Sequence, residues 1–247
     1  MCNLRCAFCQ NHAIAHRPLG QDLAPEALAD WLLKLQDVGG AHNINLVTPE
    51  HVVPHVVLSL LAARDRGLRL PVVYNTSAYD SLASLALLDG LVDVYLPDFK
   101  VWTPAAGRRL LKAADYAAAA RESIRAMHAQ VGDLRFTADG LAATGLLVRH
   151  LVMPGLEAEG AAIVRWLARD VSRDTFVNIM EQYRPDAHVG KPSRAKRRTG
   201  EAPQGDVRYA EINRAVTEGE VLSVRKAAED AGLWRFCDPP KHDGFNL

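Results

Sequence analysis

No stretch of the 247 residues approaches the ~20 consecutive apolar positions that a bilayer-crossing helix needs. The longest apolar run, Val52 to Ala63, is broken by Pro54, His55 and Ser59. The chain does not open on a charged region followed by an apolar one, so no secretory leader is read and the expected location is the cytoplasm. An excess of one charge is missing too. Lys+Arg and Asp+Glu both number 29, for a net charge of zero. A general electrostatic grip on nucleic acid or an anionic membrane is therefore not expected. Neither GxGxxG nor a P-loop signature occurs, so a dinucleotide or nucleotide-phosphate fold has no support. No internal repeat is evident. Cysteine is scarce, with four in all, far from the density of a disulfide-stapled secreted domain.

What is present is ordinary globular material, 49% hydrophobic and 23% charged, enough for a sizeable core. Apolar residues recur at helical spacing over 25–38, 52–67, 79–88, 104–112, 115–131, 158–169 and 218–231. Short apolar runs over 44–47, 71–74, 92–96, 146–153 and 175–180 read as buried strands. Strands alternating with helices imply parallel pairing through right-handed crossovers. The expected fold is an open α/β sheet or partial barrel. Residues 191–205 (KPSRAKRRTGEAPQG) lack apolar periodicity and read as a mobile basic loop, with a docking patch for an acidic partner as the sharper alternative.

Three of the cysteines fall within eight residues, Cys2-x3-Cys6-x2-Cys9, and Cys237 stands apart. Three thiols this close point to a metal or cluster. Zinc with His12 or His16 as fourth ligand is one option. An iron–sulfur cluster with three irons on thiolates and the fourth open is the other. No second cysteine knuckle is present to complete an ordinary structural zinc site. Phe8, just before Cys9, is placed to shield one side of a cluster from water. Cys237 reads as an ordinary thiol rather than a fourth ligand.

The segment CNLRCAFCQN resembles the CxxxCxΦC motif of the radical S-adenosylmethionine (radical SAM) superfamily, Φ being aromatic. HNINLVTPEH (42–51), LPVVYNTSAY (70–79), VDVYLPDFK (92–100), LLVRHLVMPG (146–155) and VNIMEQYRP (177–185) extend the likeness to the pyruvate formate-lyase activating enzyme-like group, from Cys2 to about Gly232. The resemblance implies an α/β fold, a partial (β/α)6 TIM-like barrel over 1–235 with a tail over 236–247. It also implies a [4Fe-4S] cluster on Cys2, Cys6 and Cys9. SAM on the open iron would be cleaved by one electron to a hydrogen-abstracting 5′-deoxyadenosyl radical, as in enzymes that install a glycyl radical on a protein partner. A flavodoxin or ferredoxin would donate the electron.

In such barrels ligands sit at the C-terminal ends of the strands. Strand ends here carry Thr48, Asn75, Thr76, Asp98 and Lys100, which are taken as cofactor-binding residues together with Arg149, inside the fourth expected strand, and Phe8. Asp98 and Lys100 match an Asp-x-Lys in which the lysine lies near the SAM carboxylate and the aspartate helps hold a monovalent cation. Asn75 stands where those activases have an aspartate, so the cation site is in question. The Gly-Gly-Glu that holds the SAM amine in many relatives is replaced by Thr48-Pro49-Glu50-His51. His51 is then a candidate acid, base or ligand, or simply a helix-terminal residue. Arg149 and His150, adjacent on a strand, should face opposite sides, the arginine needing a carboxylate from SAM, substrate or a structural ion pair.

Relatives carry a hydrophobic strand and a Ser-Gly before the first cysteine, where Met1 stands here. The implied barrel therefore lacks its first strand and has an open edge beside the cysteines. A 247-residue form is expected to be less stable than one extended upstream. Two other readings stay open: a non-catalytic zinc or iron–sulfur protein, and an inactive truncated remnant.

Overall fold

The structure is a computed structural model, and it describes residues 1–17, 19–192 and 207–237. Most of the basic loop (193–205) and of the expected tail (238–247) lies outside the described residues. In chain order the elements are α1 (His12–Ala15), α2 (Pro25–Asp37), β1 (Ile44–Val47), α3 (Val53–Asp65), β2 (Val72–Thr76), α4 (Leu82–Leu88), β3 (Val94–Pro97), α5 (Pro104–Ala106), α6 (Tyr116–Val131), β4 (Arg135–Phe136), β5 (Ala142–Leu151), α7 (Glu157–Asp170), β6 (Phe176–Met180) and α8 (Glu218–Asp230).

Five strands, β1-β2-β3-β5-β6, pair side by side in parallel, while β4 pairs antiparallel with the start of β5. These five are the strands expected from the apolar runs. The barrel is not closed: β1 and β6 are the outer members of the parallel array. Phe236 and Cys237 attach to β6 through Val177, so the first described residues of the expected tail belong to the sheet edge. No helix among the described residues is long and apolar enough to cross a membrane.

The strand faces are unequal, and this positions the site. On β2, Val72, Tyr74 and Thr76 are buried against the helices, while Val73 and Asn75 are only half-buried on the other side. Tyr74 and Tyr95 meet edge to face at 5.7 Å in the layer between sheet and helices. Phe99, Tyr116 and Trp166 continue that layer. The Tyr116 hydroxyl donates to the Asp98 carbonyl at 2.6 Å and accepts from the Lys100 amide at 2.9 Å, fixing the chain as it leaves β3.

Three expected elements differ. The helix expected over 79–88 starts only at Leu82, with Ser81 as N-cap, because Ala78 turns left-handed (φ 60) and Asp80 points into the core. The helix expected over 104–112 shrinks to α5 plus a π turn, Gly107–Leu111, closed by Lys112 in the left-handed region. A Cβ on residue 107 would sit 2.5 Å from the Ala113 carbonyl oxygen, so the turn requires its glycine. The strand expected from Leu146 begins at Ala142, where it forms a hairpin with β4 that the sequence did not announce.

Candidate functional site

The cysteine loop is held by backbone hydrogen bonds at several points. Arg5 and Ala7 donate to the carbonyls of Leu111 and Leu110 in the π turn, at 3.2 and 2.7 Å. His188 donates to the Ala7 carbonyl at 2.9 Å, and Cys2 to the Ala15 carbonyl at 3.0 Å. Leu4, Ala7 and Phe8 are buried, so the loop is pinned by its apolar residues while its cysteines face inward. The Phe8 ring packs on Tyr183 at 6.2 Å.

Cys2, Cys6 and Cys9 line one cavity of about 560 Å³, with Phe8 beside them. Its remaining polar wall comes from strand ends. Thr48 follows β1, Asn75 and Thr76 end β2, Asp98 and Lys100 follow β3, and Arg149 lies in β5. The structure thus brings all ten singled-out residues to one cavity. Four apolar or soft side chains that also line the cavity were not singled out: Leu151 and Met180 on β5 and β6, Met153 just beyond β5, and Leu19 before α2. The alternation that set Arg149 inward also marks Leu151 two residues on, so that signal was available. His51 is exposed and lines nothing here; His150 faces the helices, its Nδ1 2.8 Å from the Phe99 carbonyl. Cys237 is exposed and outside the cavity.

At the cavity floor sits an ion cluster. Lys100 Nζ donates to Asp98 Oδ2 at 2.7 Å, and Arg149 Nε donates to Asp98 Oδ1 at 2.7 Å. Arg149 Nη2 donates to Asn75 Oδ1, also at 2.7 Å. The three charged side chains are only 17–24% exposed. Burial raises the Asp98 carboxyl, but Lys100 and Arg149 outweigh it and hold the group below the usual carboxylate range. Burial opposes charge on Lys100, and Asp98 more than offsets this, raising its pKa. Two cations around one carboxylate leave net positive charge facing the cavity, which suits an anionic ligand group. Burial pushes the Cys6 thiol up to about 12 and raises Cys2 and Cys9 as well.

Under the neighbouring wall lies a buried polar chain whose anchor the sequence did not single out. Glu50 Oε1 accepts from Thr76 Oγ1 (2.8 Å), the Ser77 amide (2.6 Å) and Ser77 Oγ (2.7 Å). Asp80 sits 2.5 Å from Thr76 Oγ1 and accepts from Tyr74 at 2.8 Å. The chain ties the end of β2 to Glu50, and two residues earlier the Thr48 amide donates to the Asn75 carbonyl at 2.6 Å, with a φ of 54 that is strained for a β-branched residue.

The donor set can be tested against both metals. Among the described residues no three or more His, Cys, Asp or Glu side chains form a group that could hold a single metal ion. His12 and His16 do not line the cavity; His12 lies 3.8 Å from Asp186 and His16 stacks on His188. Zinc is therefore not favoured. A cubane takes one thiolate per iron, and the three thiols on this one loop are the donor set of that chemistry.

No family model matches the chain. An uncharacterised protein of Methanocaldococcus jannaschii is 28% identical over 242 residues, covering 94% of this chain and 61% of that protein. The chain thus spans about three fifths of this curated relative. Among solved structures, a domain of pyruvate-formate lyase-activating enzyme from Bacteroides vulgatus is similar with a TM-score of 0.51 at 11% identity, over 80% of this chain and 98% of that domain. SuiB from Streptococcus suis bound to S-adenosylmethionine is similar with a TM-score of 0.56 at 12% identity, over 98% of this chain and 48% of SuiB. SuiB bound to the precursor peptide SuiA gives 0.53 at 11% identity, over 93% and 43%. At such identities the likeness is one of architecture: this chain shares with those two proteins an open α/β partial barrel.

Proposed function

We propose that this chain is a radical SAM enzyme whose Cys2, Cys6 and Cys9 hold a [4Fe-4S] cluster and whose cavity binds S-adenosylmethionine. The observation that carries this reading is the meeting of the three cysteines with Asp98, Lys100 and Arg149 in one cavity on the matching fold. When bound, the cluster and SAM supply one-electron cleavage of a sulfonium bond and a hydrogen-abstracting 5′-deoxyadenosyl fragment.

The chain's own residues bind and orient. Lys100, held by Asp98, presents a fixed cation to the SAM carboxylate. Arg149 spans Asp98 and Asn75, so a guanidinium tethered to β5 fills the place where the resemblance implied a free monovalent cation. Asn75 then fits as a neutral acceptor: an aspartate there would leave the arginine between two carboxylates. Phe8 and Met180 supply apolar wall that limits water. The proposed substrate is a protein or peptide, with a backbone glycine as one hydrogen donor. The proposed electron source is a flavodoxin or ferredoxin. SuiB's complex with a precursor peptide supports a peptide substrate, as a property of that protein.

The test is anaerobic. The chain is reconstituted with iron and sulfide, reduced, given SAM and assayed for 5′-deoxyadenosine, with Cys6→Ala alongside. Product from the native chain alone is expected. A bound cluster that leaves SAM intact would point to electron transfer without SAM chemistry, and one tightly bound zinc would overturn the reading.

A further inference from the structure

A second concavity lies on the helical side of the sheet, apart from the cysteine cavity. It occupies about 480 Å³ between the loop after β3, the N-terminal half of α6 and the last turns of α7. Helix α2 packs along α3 and α7 along α8, but α6 and α7 share no such seam among the described residues. The reason is local: α6 and its approach present Ala114, Ala117 and Ala118 here, too small to reach α7. The gap is floored by two indoles, Trp102 and Trp166, 6.4 Å apart.

The walls are cationic. The Arg121 guanidinium lies over the Trp102 ring at 4.6 Å, and that of Arg125 over Trp166 at 5.2 Å. Arg125 and Arg169 share a single carboxylate, Asp170, at 3.0 and 2.6 Å. Arg121 makes no ion pair among the described residues. Three guanidiniums line the groove with Asp170, and a second carboxylate, Glu159, accepts from the Trp102 amide and from Thr103 beside it, so the groove keeps a net positive charge in a chain of zero net charge. The wall also contains a buried donor without an acceptor: Trp166 is 2% exposed and its Nε1 makes no hydrogen bond. Buried donors are seldom left so, and Arg121, half-buried over Trp102, is the cation here with no carboxylate partner among the described residues.

We propose that this groove binds a small organic anion, a carboxylate or phosphate joined to a flat apolar group, with its charge on Arg121 and its apolar part against Trp102. The volume is that of a small-ligand site. Stacking on the indoles holds Arg121 and Arg125 in place, so little side-chain entropy is lost when an anion arrives. The groove floor is adjacent in sequence to two cavity residues: Phe99, between Asp98 and Lys100, packs on Trp102 at 6.0 Å and Trp166 at 5.6 Å.

The experiment uses the full metal-free chain, so its outcome is independent of radical chemistry. 2-Naphthoate and 2-naphthyl phosphate are titrated calorimetrically, with neutral 2-naphthamide as comparator. The expected result is saturable one-to-one binding of at least one anion and none of the amide. Arg121→Gln should weaken binding about tenfold or more, as for a lost charge-assisted hydrogen bond. Arg66→Gln, which removes an exposed ion pair to Asp30 elsewhere, should leave it unchanged. A second reading needs no variant: among the four indole N–H resonances, those of Trp102 and Trp166 should shift on titration and those of Trp31 and Trp234 should not. Failure of both anions to saturate, equal binding of the amide, indifference to Arg121→Gln, or shifts confined to Trp31 and Trp234 would each overturn the proposal.

Discussion

One hydroxyl proton on Thr76 stands between two carboxylates. Thr76 Oγ1 donates either to Glu50 at 2.8 Å or to Asp80 at 2.5 Å, so a proton on Asp80 completes the chain. Burial, then the nearby charge of Glu50, pushes the Asp80 carboxyl up to about 7. Tyr74 bonds to it, and Tyr95 is the other titratable group facing it. The sign follows from the raised value. The native state holds a proton that the unfolded chain releases near pH 4, so Asp80's contribution is full below that pH and is lost as pH rises towards 7. Asp80→Asn keeps both hydrogen-bond partners without the ionisation. The variant's stability relative to the native chain should therefore rise between pH 4 and 7, by roughly 2–4 kcal/mol in all. It should then level off, as followed by urea denaturation at each pH. A flat difference across that range would show Asp80 ionised throughout. At this scale the sequence was partly legible. The cavity residues sit at strand ends, which apolar runs locate. Asp80 gave no such signal, because its partners Thr76 and Tyr74 lie on the preceding strand and meet it only through the left-handed turn at Ala78.

The elements divide by where their stability originates. The five parallel strands were readable because each is buried enough to be a short apolar run between breakers. Strand β4 and the first residues of β5, Ala142-Ala143-Thr144-Gly145, were not, because neither segment is apolar and their pairing comes from tertiary contact. The π turn shows the same limit from the helical side. Its sequence, GRRLL, follows α5 with helical periodicity, and only the approach of Ala113 to Gly107 breaks the helix. This turn accepts the hydrogen bonds from Arg5 and Ala7 that hold the cysteine loop. Gly107→Ala places a Cβ 2.5 Å from the Ala113 carbonyl oxygen and must shift the backbone. The expected cost is about 1–3 kcal/mol in a thermal or urea melt, with a matching loss in iron retained after reconstitution. Lost stability with full iron retention would mean that the turn supports the barrel but not the loop.

Over the whole molecule, the cavity is built from segments far apart in the chain: the cysteine loop at one end, strand ends from β1 to β5, and residues just beyond β6. The unfolded chain keeps the three cysteines close in sequence but has none of the Asp98–Lys100–Arg149 cluster, which needs β3 and β5 paired. A cluster bound to the cysteines alone would then add little to global stability, whereas SAM engaging that ion cluster would report on the entire sheet. Ligands that bind the folded state selectively stabilise it by mass action, by about 2.7 kcal/mol at a hundred times their Kd. Melting the chain anaerobically in three states, metal-free, reconstituted, and reconstituted with SAM, separates these contributions. The largest upward shift should come with SAM, and it should disappear in Cys6→Ala, which lacks one of the proposed cluster ligands. A shift that is complete on reconstitution and indifferent to SAM would place the linkage in the loop's own anchors, Leu110, Leu111 and His188, and would leave the ion cluster as a structural brace between β3 and β5.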